Sequence, residues 1–147
     1  SIQVERWKEY QTALATVLFP PKYIPRSPSE FLCEWEILGQ SDQEVYVWAV
    51  CMSIFSAGSN GLPYHVEMPA VIHTGEDGTV QTVEIPRGGT HYASDIRQMF
   101  PSSAQERYFG KLIPFRELTE HLRWRREHPE EPPIIALSAI PTVTPTP

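Results

Sequence analysis

Residues 31–53 read FLCEWEILGQSDQEVYVWAVCMS, and this stretch predicts an antiparallel β-hairpin. Two runs rich in β-branched and aromatic residues, 31–39 and 44–53, flank polar residues that supply turn chemistry. If the strands pair around Asp42, alternate residues of both strands share one apolar face. That face carries Cys33, Trp35, Ile37, Val47, Ala49 and Cys51. A slip of one residue would move a cysteine to the wrong face, so the pattern fixes the register.

Cys33 and Cys51 are directly opposed in this register. Opposed residues at a non-hydrogen-bonded position have Cα atoms about 4.5 Å apart, within the range of a disulfide. We predict a disulfide here; the alternative is a pair of buried thiols that act as small hydrophobic residues. No histidine stands in zinc-ligand spacing beside either cysteine. Because disulfides form in oxidising compartments, the pair indicates an extracytoplasmic protein, secreted or anchored at a surface.

A helix is expected before this hairpin and a second hairpin after it. Apolar residues spaced three and four apart predict the helix over residues 2–19. The second hairpin has one strand within 65–74 and another over 79–85, with glycine-containing turn chemistry between them. Pro69 indicates that the third strand lies at an edge or carries a bulge, since proline cannot donate to a strand ladder.

Short helical segments are expected after the sheet. One covers about 94–99, and Ser103 and Glu106 have the spacing of a capping box for another. Pro114 can start a C-terminal helix. The predicted fold class is therefore α+β: an N-terminal helix, a four-stranded, mostly antiparallel sheet of two hairpins, then short helical segments and a C-terminal helix. The first and last helices are expected to cover the sheet.

Charge and composition exclude several function classes. The 18 acidic and 12 basic side chains give a net charge of −6, so the attraction that drives nonspecific nucleic-acid binding is missing. No apolar run approaches the roughly 20 residues that span a bilayer. The chain begins with Ser1 and not with Met, which suggests processing, and an upstream signal or lipid anchor could have been lost in it. Residues 1–137 are expected to form one domain, and the Thr/Pro-rich residues 138–147 a tail or linker.

The second face of the first hairpin offers a candidate ligand site. It carries Glu34 and Glu36 on one strand and Tyr46 and Trp48 on the other. The two carboxylates stand about 6.6 Å apart along the strand, which would suit acid and base work on a glycosidic bond, and the rings could stack on a sugar. We expect a partly solvated face with an aromatic patch; the alternative is a patch covered by a helix.

Arg87-Gly88-Gly89-Thr90 is a second candidate site, for an anion. These residues precede a helical segment, where successive backbone N–H groups can point at a bound anion. They lack the glycine spacing and the lysine of a phosphate-binding loop. A simple turn is the alternative.

The five histidines form no metal-binding motif. They stand at positions 65, 73, 91, 121 and 128, with neither HxH nor HExxH spacing. Glu117 and His121 are four residues apart on a predicted helix, where a solvated pair is the common arrangement. We therefore expect no metal and no cofactor.

The segment 43–47, Gln-Glu-Val-Tyr-Val, partly matches the Gln-x-Val-x-Gly inhibitory loop of cystatins, with Val47 in place of the glycine. A helix followed by four antiparallel strands also resembles the cystatin-like arrangement. The sequence match covers only these few residues, and the helical segments after the sheet have no counterpart in cystatins. The resemblance implies an arrangement of elements and no activity.

The function expected from these observations is that of a non-enzymatic extracytoplasmic binding or interaction domain for a protein or small-molecule ligand. The predicted disulfide, the Thr/Pro tail, the acidic composition and the lack of catalytic motifs favour it. Two alternatives stay open. One is a small hydrolase or metal-dependent enzyme that uses Glu34, Glu36 and histidines, and the other is a structural domain of a larger exported protein.

Overall fold

Four antiparallel strands form one meandering sheet in the order β1-β2-β3-β4. The computed structural model describes residues 5–20, 26–56 and 61–137, so the expected tail lies outside the described residues. The strands span Phe31–Gln40 (β1), Glu44–Ser53 (β2), His65–Thr74 (β3) and Val80–Glu84 (β4). Both predicted hairpins are confirmed.

The predicted register of the first hairpin is also confirmed. Cys33 lies opposite Cys51, and the pairing continues as expected as far as Ile37. Beyond Ile37 a β-bulge shifts the register, so that Gly39 lies opposite Tyr46. The two cysteines form the predicted disulfide, and both are completely buried in the core.

Helices precede and follow the sheet. They span Trp7–Leu18 (α1), Tyr92–Met99 (α2), Ser102–Phe109 (α3), Phe115–Glu127 (α4) and Ile134–Leu137 (α5), with 3₁₀ turns at Pro28–Glu30 and Gly89–His91. The capping box predicted from Ser103 and Glu106 is wrong, because α3 begins one residue earlier and Pro101 occupies its N-cap. Pro114 precedes α4 as expected. Within the described ranges, no helix has the length and apolar character needed to cross a bilayer.

Both faces of the sheet are covered. α1 packs on the face that carries the disulfide, where Tyr10 and Leu14 join a cluster with Trp35. The helices after the sheet cover the other face, and Ile96 of α2 belongs to that second cluster. The molecule therefore has three layers, and the sheet separates two apolar cores.

The expectation that the second face of the hairpin is partly solvated is wrong. Trp48 is 3% exposed, Tyr46 8% and Glu34 0%. Leu118 and Leu122 of α4 lie in the same apolar cluster as the two rings. The aromatic patch is the surface on which the later helices bury their own apolar side chains.

β3 is an inner strand between β2 and β4, so the predicted edge position of this strand is wrong, and the bulge in its pairing with β4 lies at His73 and Thr74 and not at Pro69. β4 pairs with β3 only over the stretch from Val71 to Thr74, so Pro69 lies beyond the end of β4. β2 pairs with β3 along the other side, where Pro69 lies opposite Trp48. A proline is tolerated there because its missing N–H is not required by a neighbouring strand.

Candidate functional site

The two outer strands, β1 and β4, differ in how their edges are covered. At an edge, every second residue directs its N–H and C=O away from the sheet, where another strand can pair with them. Whether those groups are already occupied decides whether an edge can bind. We therefore describe each edge by the partners of its outward backbone groups.

Arg125 of α4 covers the β1 edge near the start of the strand. Its Nη1 donates to the Cys33 carbonyl at 2.7 Å and to Glu34 Oε2 at 3.1 Å, and its Nη2 donates to Gln11 Oε1 at 2.7 Å. The same Gln11 oxygen accepts the Cys33 N–H at 3.0 Å. Side chains from helices on both faces of the sheet thus occupy both backbone groups of Cys33.

Glu34, beside this residue, accepts hydrogen bonds from three groups. Besides Arg125, His121 Nδ1 lies 2.8 Å from Oε2, and the Ile134 backbone N–H donates to Oε1 at 2.8 Å. His121 donates to this oxygen in the forms of the ring that carry a proton on Nδ1. Burial lowers the pKa of Arg125, and the adjacent Glu34 carboxylate opposes that change. A buried carboxylate with these donors holds the layers together.

Arg107 of α3 covers the β1 edge further along the strand. Its Nη1 donates to the Ile37 carbonyl, and its Nη2 donates to Glu36 Oε1 at 3.1 Å. The arrangement repeats that of Arg125, since each arginine binds a β1 carbonyl and a glutamate adjacent to it in sequence. The Arg107 and Glu36 side chains are 37% and 31% exposed, so water weakens this pair relative to the buried one.

The four residues predicted as a ligand site do not share an open surface. Glu34 and Glu36 each pair with a different arginine. Trp48 packs edge to face against Phe115, with ring centroids 4.8 Å apart. Tyr46 lines a separate cavity that is described below. The contacts give no support to an acid and base pair made of these two glutamates.

Arg87, the cation of the predicted anion site, is held by Asp95 of α2. Its Nε and Nη2 donate to the two carboxylate oxygens, each at 2.9 Å, and its backbone N–H donates to Oδ2 at 2.9 Å. The guanidinium holds the pKa of Asp95 well below its usual range. Gly88, Gly89 and Thr90 are exposed beside this pair. The charge of Arg87 is therefore already paired within the chain.

The histidines are spread over the molecule. His65 and His91 are exposed, His121 binds Glu34, and His73 lies in the cavity described below. In the part of the chain that the structure describes, no group of three or more His, Cys, Asp or Glu side chains could hold a metal ion.

β4, in contrast to β1, presents an open edge. The sheet ends at β4 within the described residues. The Thr74 N–H donates to the Gln43 carbonyl at 2.9 Å, so the backbone groups of Thr74 point towards β2. Because this direction alternates along a strand, the N–H and C=O of Ile72, two residues earlier, point towards β2 as well. Val83 lies opposite Ile72 and therefore directs its N–H and C=O away from β3. These two groups can pair with a further strand.

A groove of about 540 Å³ lies beside this open edge, between α1 and β4. Glu9 of α1 accepts the Val80 N–H at 2.8 Å and ties the helix to the start of the strand. Aliphatic side chains of Ala13, Val17 and Val83 line the groove, and polar side chains of both elements surround them. The groove therefore offers apolar contacts next to unpaired backbone groups.

A second cavity, of about 530 Å³, borders β4 beside the end of α2. Glu44 of β2, His73 of β3 and Glu84 of β4 supply its titratable side chains. His73 Nε2 lies 2.8 Å from a Glu84 oxygen without hydrogen-bond alignment, and Nδ1 lies 3.8 Å from a Glu44 oxygen. The Tyr46 hydroxyl donates to Glu44, and this contact raises the pKa of Tyr46. The cavity is thus lined by two carboxylates.

Sequence reasoning missed most of the residues at the two edges. It gave no role to Arg107 or Arg125, because nothing near them in sequence distinguishes an arginine that binds a distant strand from a solvated one. Glu44, His73 and Glu84 could have been placed on one face by strand alternation. That step needs the register between the two hairpins, which the pattern within each hairpin does not supply.

Comparisons with protein-family models, with curated proteins and with solved structures found no match for this chain. The cystatin-like arrangement stays an analogy for α1 and the four strands. Function must then be inferred from three geometric features: the closed β1 edge, the open β4 edge and the two cavities that border β4.

Proposed function

We propose that this domain is a binding module that captures an extended segment of another protein as a fifth strand along β4. The observation that carries the proposal is the open β4 edge beside an apolar groove, on a sheet whose other edge has side chains bound to backbone groups of Cys33 and Ile37. Main-chain hydrogen bonds would supply affinity, and pockets for alternate side chains would supply selectivity, as in other cases of strand addition.

The groove has the position that such a segment requires. A strand paired with β4 would lie about 4.8 Å from it, and its side chains would alternate between the two faces of the sheet. Those on the α1 side would contact Ala13, Val17 and Val83 in the groove. A short aliphatic side chain at every second position would fill this space and remove apolar surface from water.

The length of β4 limits what can bind. The strand has five residues, and a bulge interrupts its pairing with β3 between His73 and Thr74. Short, bulged edge strands resist uncontrolled pairing with other chains. The same features restrict capture to a segment of about four or five residues, since pairing extends only as far as the edge.

The buried disulfide supports placing this function in an oxidising compartment. Cys33 and Cys51 cross-link β1 to β2 inside the core. Structural disulfides of this kind are typical of secreted and surface-held proteins and rare in the cytosol. We therefore extend the proposal to an extracytoplasmic binding domain.

A proline at position 83 tests the proposal. Val83→Pro removes the outward N–H and leaves the ladder bonds to β3, whereas Val83→Thr keeps that N–H and nearly the same shape. Short random peptides would be displayed and selected on the wild-type domain, and the affinity of one selected peptide would be measured by fluorescence anisotropy.

We expect Val83→Pro to lower the affinity for this peptide by about tenfold or more. The bound peptide loses one main-chain hydrogen bond and collides with the proline ring. Val83→Thr should bind within about threefold of the wild type, because its backbone is unchanged. Thermal unfolding would check that both variants are folded. Equal binding by a folded Val83→Pro variant, or a failure to select any peptide, would overturn the proposal.

A further inference from the structure

We infer that the captured segment carries a lysine or arginine on the face that lies beside Glu84, opposite to the face that fills the groove. This inference rests on the proposed function, because it concerns the chemistry of the same fifth strand. It names a partner segment in which aliphatic and basic residues alternate.

Strand alternation places this face of the segment next to the second cavity. Glu84 lies opposite Val71, which lies opposite Tyr46, so these three residues form one row across the sheet on the same face. Glu44 and His73 form a pair two residues along the strands and therefore belong to the same face as well. A residue of the fifth strand opposite Glu84 would continue the first row. Directly opposed side chains have Cβ atoms about 5 Å apart, within reach of a long basic side chain.

Glu44 and Glu84 differ from the β1 glutamates because, among the described residues, neither forms an ion pair with an arginine or lysine. Glu34 and Glu36 each pair with an arginine, whereas among the described residues the ion-pair contacts of Glu44 and Glu84 are to His73. The Glu84 side chain is 59% exposed and can therefore meet a partner from outside. A cation on the bound segment would form with Glu84 the kind of ion pair that arginines form with Glu34 and Glu36. The net charge of −6 would favour the approach of such a segment.

A second copy of this chain that pairs through its own β4 does not meet the requirement. β4 reads Val-Gln-Thr-Val-Glu and contains no basic residue, so two β4 strands paired with each other would bring Glu84 no cation. Self-pairing would also add the acidic charge of one copy to that of the other. The charge of this face favours a different protein as the source of the segment.

The test compares the residues selected by three forms of the domain from the same displayed library of short random peptides. In Glu44→Gln/Glu84→Gln the carboxylates become amides of nearly the same shape. Glu76→Gln is the matched control, because Glu76 is an exposed glutamate in the turn before β4 and lines neither cavity. Thermal unfolding would confirm that each variant is folded.

We expect the wild type and Glu76→Gln to select peptides in which lysine or arginine alternates with aliphatic residues. Glu44→Gln/Glu84→Gln should keep the aliphatic alternation and lose the basic preference. Its affinity for a basic peptide selected on the wild type should fall by about fivefold, in the range of partly exposed ion pairs, and this difference should shrink in high salt.

The outcomes separate this inference from the proposed function. If Val83→Pro abolishes binding but the selected peptides show no basic residues, or keep them with the double variant, the charge inference fails and strand capture stands. If a folded Val83→Pro variant binds as the wild type does, both fail.

Discussion

The two edges of the sheet, β1 and β4, differ in whether their outward backbone groups have partners within the chain. On β1, side chains from α1, α3 and α4 occupy outward backbone groups of Cys33 and Ile37. On β4, Glu9 occupies the Val80 N–H, and the outward groups of Val83 face a groove. Since exposed edges invite pairing with other chains, proteins cover the edges that they do not use. The contrast therefore indicates where a partner can bind.

The same contrast extends to the glutamates near each edge. Glu34 and Glu36 beside the closed edge each have an arginine partner within the chain. Glu84 at the open edge has a histidine. Carboxylates paired with arginines stabilise the fold, whereas carboxylates without them leave charge available for recognition.

The largest effect should come from breaking the closed edge at Arg125. Arg125→Met leaves the buried Glu34 carboxylate without its cation and should reduce the free energy of unfolding by about 3–5 kcal/mol. Denaturant titration measures this change. Arg116→Met is the control, since Arg116 is 91% exposed and its loss should change stability by less than about 0.5 kcal/mol. Equal effects of the two substitutions would contradict the role given to Arg125.

A smaller effect is expected at the second covered position of β1. Arg107→Met removes the donor to the Ile37 carbonyl and the partner of Glu36, both in a partly exposed setting. The loss in stability should be about 1 kcal/mol, because water can replace part of these interactions. A loss as large as that of Arg125→Met would show that burial does not distinguish the two arginines.

The smallest expected change in stability comes from Asp95→Asn, and this change depends on pH. Asp95 binds Arg87 in the segment that follows β4. Arg87 ties this segment to α2 through Asp95 without covering the β4 edge. Because the folded-state pKa of Asp95 is depressed, its stabilisation is present above the unfolded value of about 4 and is lost as the pH falls towards the folded value. Asp95→Asn lacks this contribution at every pH.

Thermal unfolding of the wild type and Asp95→Asn across a pH series tests this prediction. The wild type should be the more stable form near neutral pH, and the two melting temperatures should converge as the pH falls below about 4. A difference that stays constant through the acid range would mean that the Arg87 and Asp95 pair does not account for it.

Features that are determined by residues close together in sequence, such as the first hairpin and its disulfide, could be predicted from the sequence. The register that joins Cys33 to Cys51 follows from strand alternation and a short turn, and the disulfide follows from the register. The bulge after Ile37 could not be predicted, because the alternation of apolar residues allows a regular pairing there as well. Local pattern therefore determines the hairpin but not its irregularity.

The covering of the sheet and of its edges could not be predicted, because it depends on contacts between residues far apart in sequence. Leu118 and Leu122 mark an apolar helix face, and that face could pack on either side of a sheet. Arg125 binds Cys33 across 92 residues, and no local spacing signals this contact. The candidate site at β4 could not be predicted for the same reason. It depends on the register that joins the two hairpins, which decides that the backbone groups of Val83 point away from β3.

Amide hydrogen exchange at Cys33 and Val83 tests the contrast between the edges most directly. The Cys33 N–H is bound by Gln11, whereas the Val83 N–H points away from the sheet. In the free protein we expect slow exchange at Cys33 and fast exchange at Val83. A bound, selected peptide should slow exchange at Val83 by about tenfold or more and leave Cys33 unchanged. Slow exchange at Val83 in the free protein, or peptide protection at Cys33 instead, would contradict the assignment of binding to β4.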